Sequence, residues 1–122
     1  MIRNLFAASV LAIGAATAMA DDIATNAQIV EIATMSLGAG VSPEDFAEVD
    51  ARVEQEHVSQ QPGFVARETG ATADGWVAIV YWASAEDAQA SMDSFATAPA
   101  AAEFMSMVDP ESIVMMRYRL NR

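Results

Sequence analysis

The sequence predicts an α+β fold in the order β-α-β-β-α-β, the ferredoxin-like arrangement of a four-stranded antiparallel sheet with both helices on one face. Three observations carry that expectation. Ser42-Pro43-Glu44-Asp45 recurs as Ser84-Ala85-Glu86-Asp87, each time directly after an apolar, β-rich run and directly before an amphipathic one. Pro62-Gly63, Asp74-Gly75 and Asp109-Pro110 fall where a strand or helix has to end. The hydrophobic fraction of 53% is high enough for a packed core despite a net charge of −11.

Gln28 to Leu37 is β-branched and apolar and reads as the first strand, ended by Gly38-Ala39-Gly40. Ser42 then offers an N-cap hydroxyl, Pro43 suits the first helical position, and Glu44 and Asp45 face the positive end of the helix dipole. Phe46, Val49, Val53 and His57 recur at spacings of three, four and four, which places them on one face of a helix running to about Gln60. Pro62-Gly63 stops that helix. Phe64 to Thr69 reads as the second strand, Ala73-Asp74-Gly75 as a tight turn and Trp76 to Ala83 as a central third strand. The second helix starts at the Ser84 cap with Ala88, Met92 and Phe95 as its apolar stripe. Pro99 breaks it, a short helical piece spans Ala100 to Val108, and Ile113 to Leu120 is the last strand.

The first twenty residues read as an export signal. Arg3 is a short positive start, Leu5 to Ala16 is an apolar core too short to span a bilayer, and Ala18-Met19-Ala20 has small residues where a signal peptidase cuts. Residues 1–20 are thus a signal peptide and residues 21–122 the mature domain, beginning at Asp21 and periplasmic or secreted, with no membrane segment of its own. The acidity argues against a nucleic-acid partner, which requires cations to displace phosphate counterions. With no cysteine and a single histidine, disulfides, thiolate catalysis and multi-histidine metal sites within one chain are excluded.

The strands also predict a partner. A sheet covered on one side should alternate apolar and polar residues, yet Trp76, Ala78, Val80 and Trp82 share one parity of the third strand and Val77, Ile79, Tyr81 and Ala83 the other. An uncovered second face would exceed the apolar patch of an ordinary soluble monomer. A second copy of the chain is the expected cover, giving a homodimer in which two sheets form a dimeric α/β barrel.

Gln61-Pro62-Gly63-Phe64-Val65, Trp76, Val80-Tyr81-Trp82-Ala83-Ser84 and Glu86-Asp87-Ala88 together resemble the antibiotic-biosynthesis-monooxygenase (ABM) group of dimeric α/β-barrel proteins, over nearly all of the mature chain. The resemblance implies cofactor-independent oxidation of aromatic polyketides or quinols, haem degradation, or a role not yet assigned in that group. Haem-degrading relatives use an iron-binding histidine in the second helical region and an asparagine on the first strand. Ala100 to Met107 has no histidine and the first strand no asparagine, so no haem and no other cofactor is expected here.

The candidate site residues follow. His57 is the only imidazole and the only obvious general base, against a packing role at a helix end. Trp82 resembles the strand-three tryptophan that haem-degrading relatives use to crowd their cofactor, so the resemblance implies that it lies on the helix side near the pocket, with Tyr81 on the opposite face toward the barrel interior. Arg67, with Arg117 and Arg119, either binds an anionic substrate or pairs with Glu31 and Glu68 across the sheet. Met92, Met105, Met107, Met115 and Met116 either fill the core or line an adaptable cavity. The expected function is therefore a monooxygenase acting on a small aromatic or quinol-type ligand with His57 and Trp82 as catalytic residues and Trp82, Tyr81 and Arg67 at the substrate. The alternatives are a non-enzymatic small-molecule-binding or stress-response module, and a purely structural dimer.

Overall fold

A computed structural model of the chain describes residues 16–122. Strands β1 (Ile29–Ser36), β2 (Phe64–Ala71), β3 (Gly75–Trp82) and β4 (Val114–Arg119) form one antiparallel sheet in the order β2-β3-β1-β4. Helices α1 (Pro43–Glu56), α2 (Ala85–Ser94) and α3 (Ala101–Ser106) pack on one face of it. This is the ferredoxin-like α+β fold.

Both helix starts form as the sequence requires. Ser42 Oγ accepts the Asp45 N–H at 3.1 Å, and Ser84 Oγ accepts the Asp87 N–H at 3.1 Å, satisfying amides that have no partner inside the helix. The first helix ends earlier than periodicity suggests. His57 leaves helical geometry at φ −135°, and a separate 3-10 turn spans Val58–Gln60. β2 runs two residues further than expected, because Gly70 and Ala71 continue the ladder opposite Val77 and Trp76. Gly63 lies at φ +80°, and a Cβ there would meet the Asp87 carboxylate at 2.1 Å. Only glycine fits where the Pro-Gly turn passes the start of α2.

The core lies between the sheet and the helices. Phe46 meets Trp76 edge-on at 5.1 Å and Phe104 at 4.9 Å, and Val49 and Val53 complete the α1 face. Along β3 the parity is clean: Trp76, Ala78, Val80 and Trp82 are buried, while Val77, Ile79 and Tyr81 are half-buried on the other face. Three rows cross that outer face, with Val30 beside Tyr81 and Tyr118, Ile32 beside Ile79 and Met116, and Thr34 beside Val77 and Val114. Val114, Met116 and Tyr118 are about half exposed.

Most of the expected signal segment lies outside the described residues. Residues 16–26 are helical and mostly exposed, so the expected boundary between Ala20 and Asp21 falls within a helical run. Arg122 closes the end of that run, donating to Ile23 O at 2.7 Å and to Ala27 O at 3.0 Å. Among the described residues no helix is long and apolar enough to cross a membrane.

Candidate functional site

Between the inner face of the sheet and the helices lies a cavity of about 740 Å³, within the range of small-molecule sites. Its apolar wall includes Trp82 from β3, Phe95, and Phe104 and Met105 from α3, with Met92 from α2 and Met115 from β4. Three of the five methionines singled out by the sequence therefore line it. Met116 instead faces outward, and Met107 packs against the core. Trp82 is almost fully buried, with Phe64 edge-on to it at 6.0 Å.

A single cross-strand row carries most of the polarity. Arg67, Val80, Glu31 and Arg117 are register partners across β2, β3, β1 and β4, and all four line the cavity. At one end Arg67 is clamped by α1: it donates to the two Asp50 carboxylate oxygens at 2.7 and 2.8 Å and to Glu54 at 3.0 Å. Burial opposes its charge, but the hydrogen bonds and charges of Asp50 and Glu54 outweigh that, so the guanidinium is held above its ordinary pKa. At the other end Arg117 donates through Nε to Glu31 Oε2 and through Nη1 to Gln89 Oε1 of α2, the latter at 2.7 Å. Two guanidiniums thus face three carboxylates.

The structure separates the residues that the sequence grouped together. Trp82 and Arg67 share the cavity. Tyr81 lies on the opposite face of the sheet, as expected, and does not line this cavity: adjacent strand residues point to opposite sides. His57 is also absent from the cavity wall. It is buried one layer behind, with Nε2 2.9 Å from Ser94 Oγ and its ring 6.2 Å from Phe95. Burial lowers the imidazole pKa, partly offset by Ser94. Arg67 takes its partners from α1 rather than from Glu31 or Glu68, whereas Arg117 does pair with Glu31.

Glu31 was legible in sequence only as an ion-pair partner. The available signal was its position, a carboxylate at the inward parity of a strand whose other inward residues, Ile29, Ala33 and Met35, are apolar. Asp50 and Gln89 carried no such signal, since helix acids and amides are ordinarily solvated. Among the described residues no group of three acidic or imidazole side chains converges as a metal site would require.

No family model matches the chain, and no curated protein matches it. Solved structures do. SnoaB of Streptomyces nogalater, a cofactor-independent oxygenase, superposes with a TM-score of 0.65 at 15% identity, covering 79% of this chain and 95% of its own. A Chloroflexus aurantiacus protein provisionally named an antibiotic biosynthesis monooxygenase gives 0.59 at 16% identity, covering 78% and 94%. A dimeric ferredoxin-like protein of unknown function from Thermobifida fusca gives 0.60 at 16% identity, covering 79% and 93%. At these identities the likeness is one of architecture: the chain shares the ferredoxin-like fold of these three proteins.

Proposed function

We propose that this protein is an exported homodimer that binds a small aromatic or quinol-type molecule in its cavity and oxidises it with molecular oxygen, without a cofactor. The observation that carries the reading is the cavity itself, an aromatic and methionine-lined space opening onto a short polar row. Such a site holds a flat apolar ring and leaves a few polar atoms to orient it. An electron-rich phenol is its own reductant: with one O₂ it gives a quinone and one water, one oxygen entering the ring and the other leaving with the hydroxyl and ring hydrogens. Trp82 forms part of the wall against which the ring lies. The homodimer reading rests on the outer rows of Val30, Ile32, Ile79 and Met116.

Oxygen uptake by the mature protein with a panel of quinols and phenols tests the activity. Uptake that saturates with substrate and forms quinone supports it, and uptake no faster than the substrate alone overturns it. One observation favours a second reading, a binding module with no chemistry: the sole imidazole, His57, lies behind the wall rather than on it. Tight binding of panel members without oxygen uptake would select that reading.

A further inference from the structure

We infer that Glu31 is the polar anchor of the cavity, taking a hydrogen bond from the hydroxyl of a neutral aromatic ligand, and that the charges around it reject carboxylated arenes. The inference rests on the proposed reading of the cavity as a ligand site and names what that site selects.

Glu31 is a carboxylate in the middle of the sheet, only 7% exposed. Its Oε2 is occupied by Arg117, while its Oε1 accepts no hydrogen bond from any described residue. Nor is Oε1 among the polar atoms sealed away without a partner, and Glu31 lines the cavity. A carboxylate oxygen in an apolar enclosure strongly favours a donor, since its alternative is an unmet desolvation cost. Arg117, itself held by Gln89, fixes the orientation of the carboxylate, so the acceptor is in place before a ligand arrives.

The same row argues against anions. The cations that line the cavity already hold carboxylates: Arg67 holds Asp50 and Glu54 through Nη1 and Nη2, with its buried Nε unpartnered, and Arg117 holds Glu31 as well as the Gln89 amide. Among the described residues Glu31 is the one carboxylate that lines the cavity, while Asp50 and Glu54 behind Arg67, and Glu31 on Arg117, compensate the two guanidiniums. A ligand carboxylate would have to compete with these pairs for the guanidiniums and would lie close to Glu31, where like charges repel strongly at low dielectric. A phenolic or enolic hydroxyl meets neither obstacle.

Three probes of one shape decide the matter by calorimetric titration against the purified protein without turnover: 1-naphthol, naphthalene and 1-naphthoate. The expected result is 1-naphthol binding about tenfold or more tightly than naphthalene, as a hydrogen bond to a charged acceptor provides, with 1-naphthoate weakest. In Glu31→Gln the naphthol advantage should shrink and 1-naphthoate should gain about tenfold or more, because the amide keeps the shape and loses the charge. Equal binding of naphthol and naphthalene by the wild type, or naphthoate binding as tightly as naphthol, overturns the anchor while leaving the cavity as an aromatic site. Binding of none of the three overturns both. The wild-type comparison stands even where Glu31→Gln fails to fold.

Discussion

Asp50 and Arg67 hold each other through two hydrogen bonds of 2.7 and 2.8 Å, with side chains 5% and 4% exposed. The pair ties the middle of α1 to β2 and makes one end of the cavity row rigid. Removing Asp50 leaves the buried Arg67 charge with only the part-exposed Glu54 as a partner, which costs up to about 3–5 kcal/mol. Asp50→Asn should therefore destabilise by about that amount. Glu54, whose side chain is 38% exposed, should cost less than about 1 kcal/mol when changed to Gln. Urea unfolding of the two variants checks the contrast, and equal losses would contradict it.

Gly63→Ala should be among the most damaging small substitutions in the chain. The residue lies at φ +80° and its new methyl would collide with the Asp87 carboxylate, which also accepts from Ser84 Oγ at 2.8 Å. Backbone strain and the disturbed start of α2 together should cost about 2–3 kcal/mol. Gly40→Ala shares the positive φ but meets nothing nearby, so it should cost about half as much. Thermal melts of both variants separate conformational strain from collision.

His57 gives stability a pH dependence of known sign. Burial lowers its folded-state pKa below the ordinary value, so on acidification the unfolded chain takes up the proton first. The contribution is complete above about pH 6.5 and is lost as pH falls below that, at no more than about 1.4 kcal/mol per unit. His57→Gln removes this dependence. The stability difference between wild type and variant should shrink from pH 7.5 to pH 5, as read from denaturant midpoints at each pH; a constant difference would refute it.

Trp82→Phe distinguishes ligand contact from packing. Trp82 lines the cavity and packs edge-on against Phe64, so the smaller ring should cost about 1–2 kcal/mol in stability. On the proposed function, affinity for a bound naphthol should fall by about fivefold or more per folded molecule. Unchanged affinity at reduced stability would assign Trp82 to packing alone.

The outer sheet face carries the dimer prediction. Ile32 and Ile79 are register partners at its centre, with Met116 beside them. Ile79→Lys would place an unpaired charge in the middle of a two-fold interface, where it costs several kcal/mol. Light scattering should show a wild-type dimer at micromolar concentration and a dimer weakened at least about a hundredfold in the variant. A wild-type monomer would remove the interface.

The sequence by itself determined the element order, both helix caps and the two faces of β3, because each rests on local chemistry: a serine accepting its own helix's amide, a proline at N1, a period of two along a strand. The inward side of Trp82 came from the family resemblance, since both parities of that strand are apolar. Tertiary structure alone decided the composition of the cavity. Simple alternation from Phe64 would turn Arg67 to the outer face, but a bulge between Phe64 and Ala66 shifts the register, so that Phe64 pairs with Trp82 and Arg67 with Val80. Both side chains then share the helix side. His57, at the C-terminal cap of α1, is buried as expected and still lies behind the wall, because Ser94 and Phe95, distant in sequence, pack against it. Glu31 becomes a candidate anchor only when Arg117, 86 residues away, occupies one carboxylate oxygen and leaves the other free. Local chemistry is legible along a chain, whereas an atom's free valence depends on everything that folds around it.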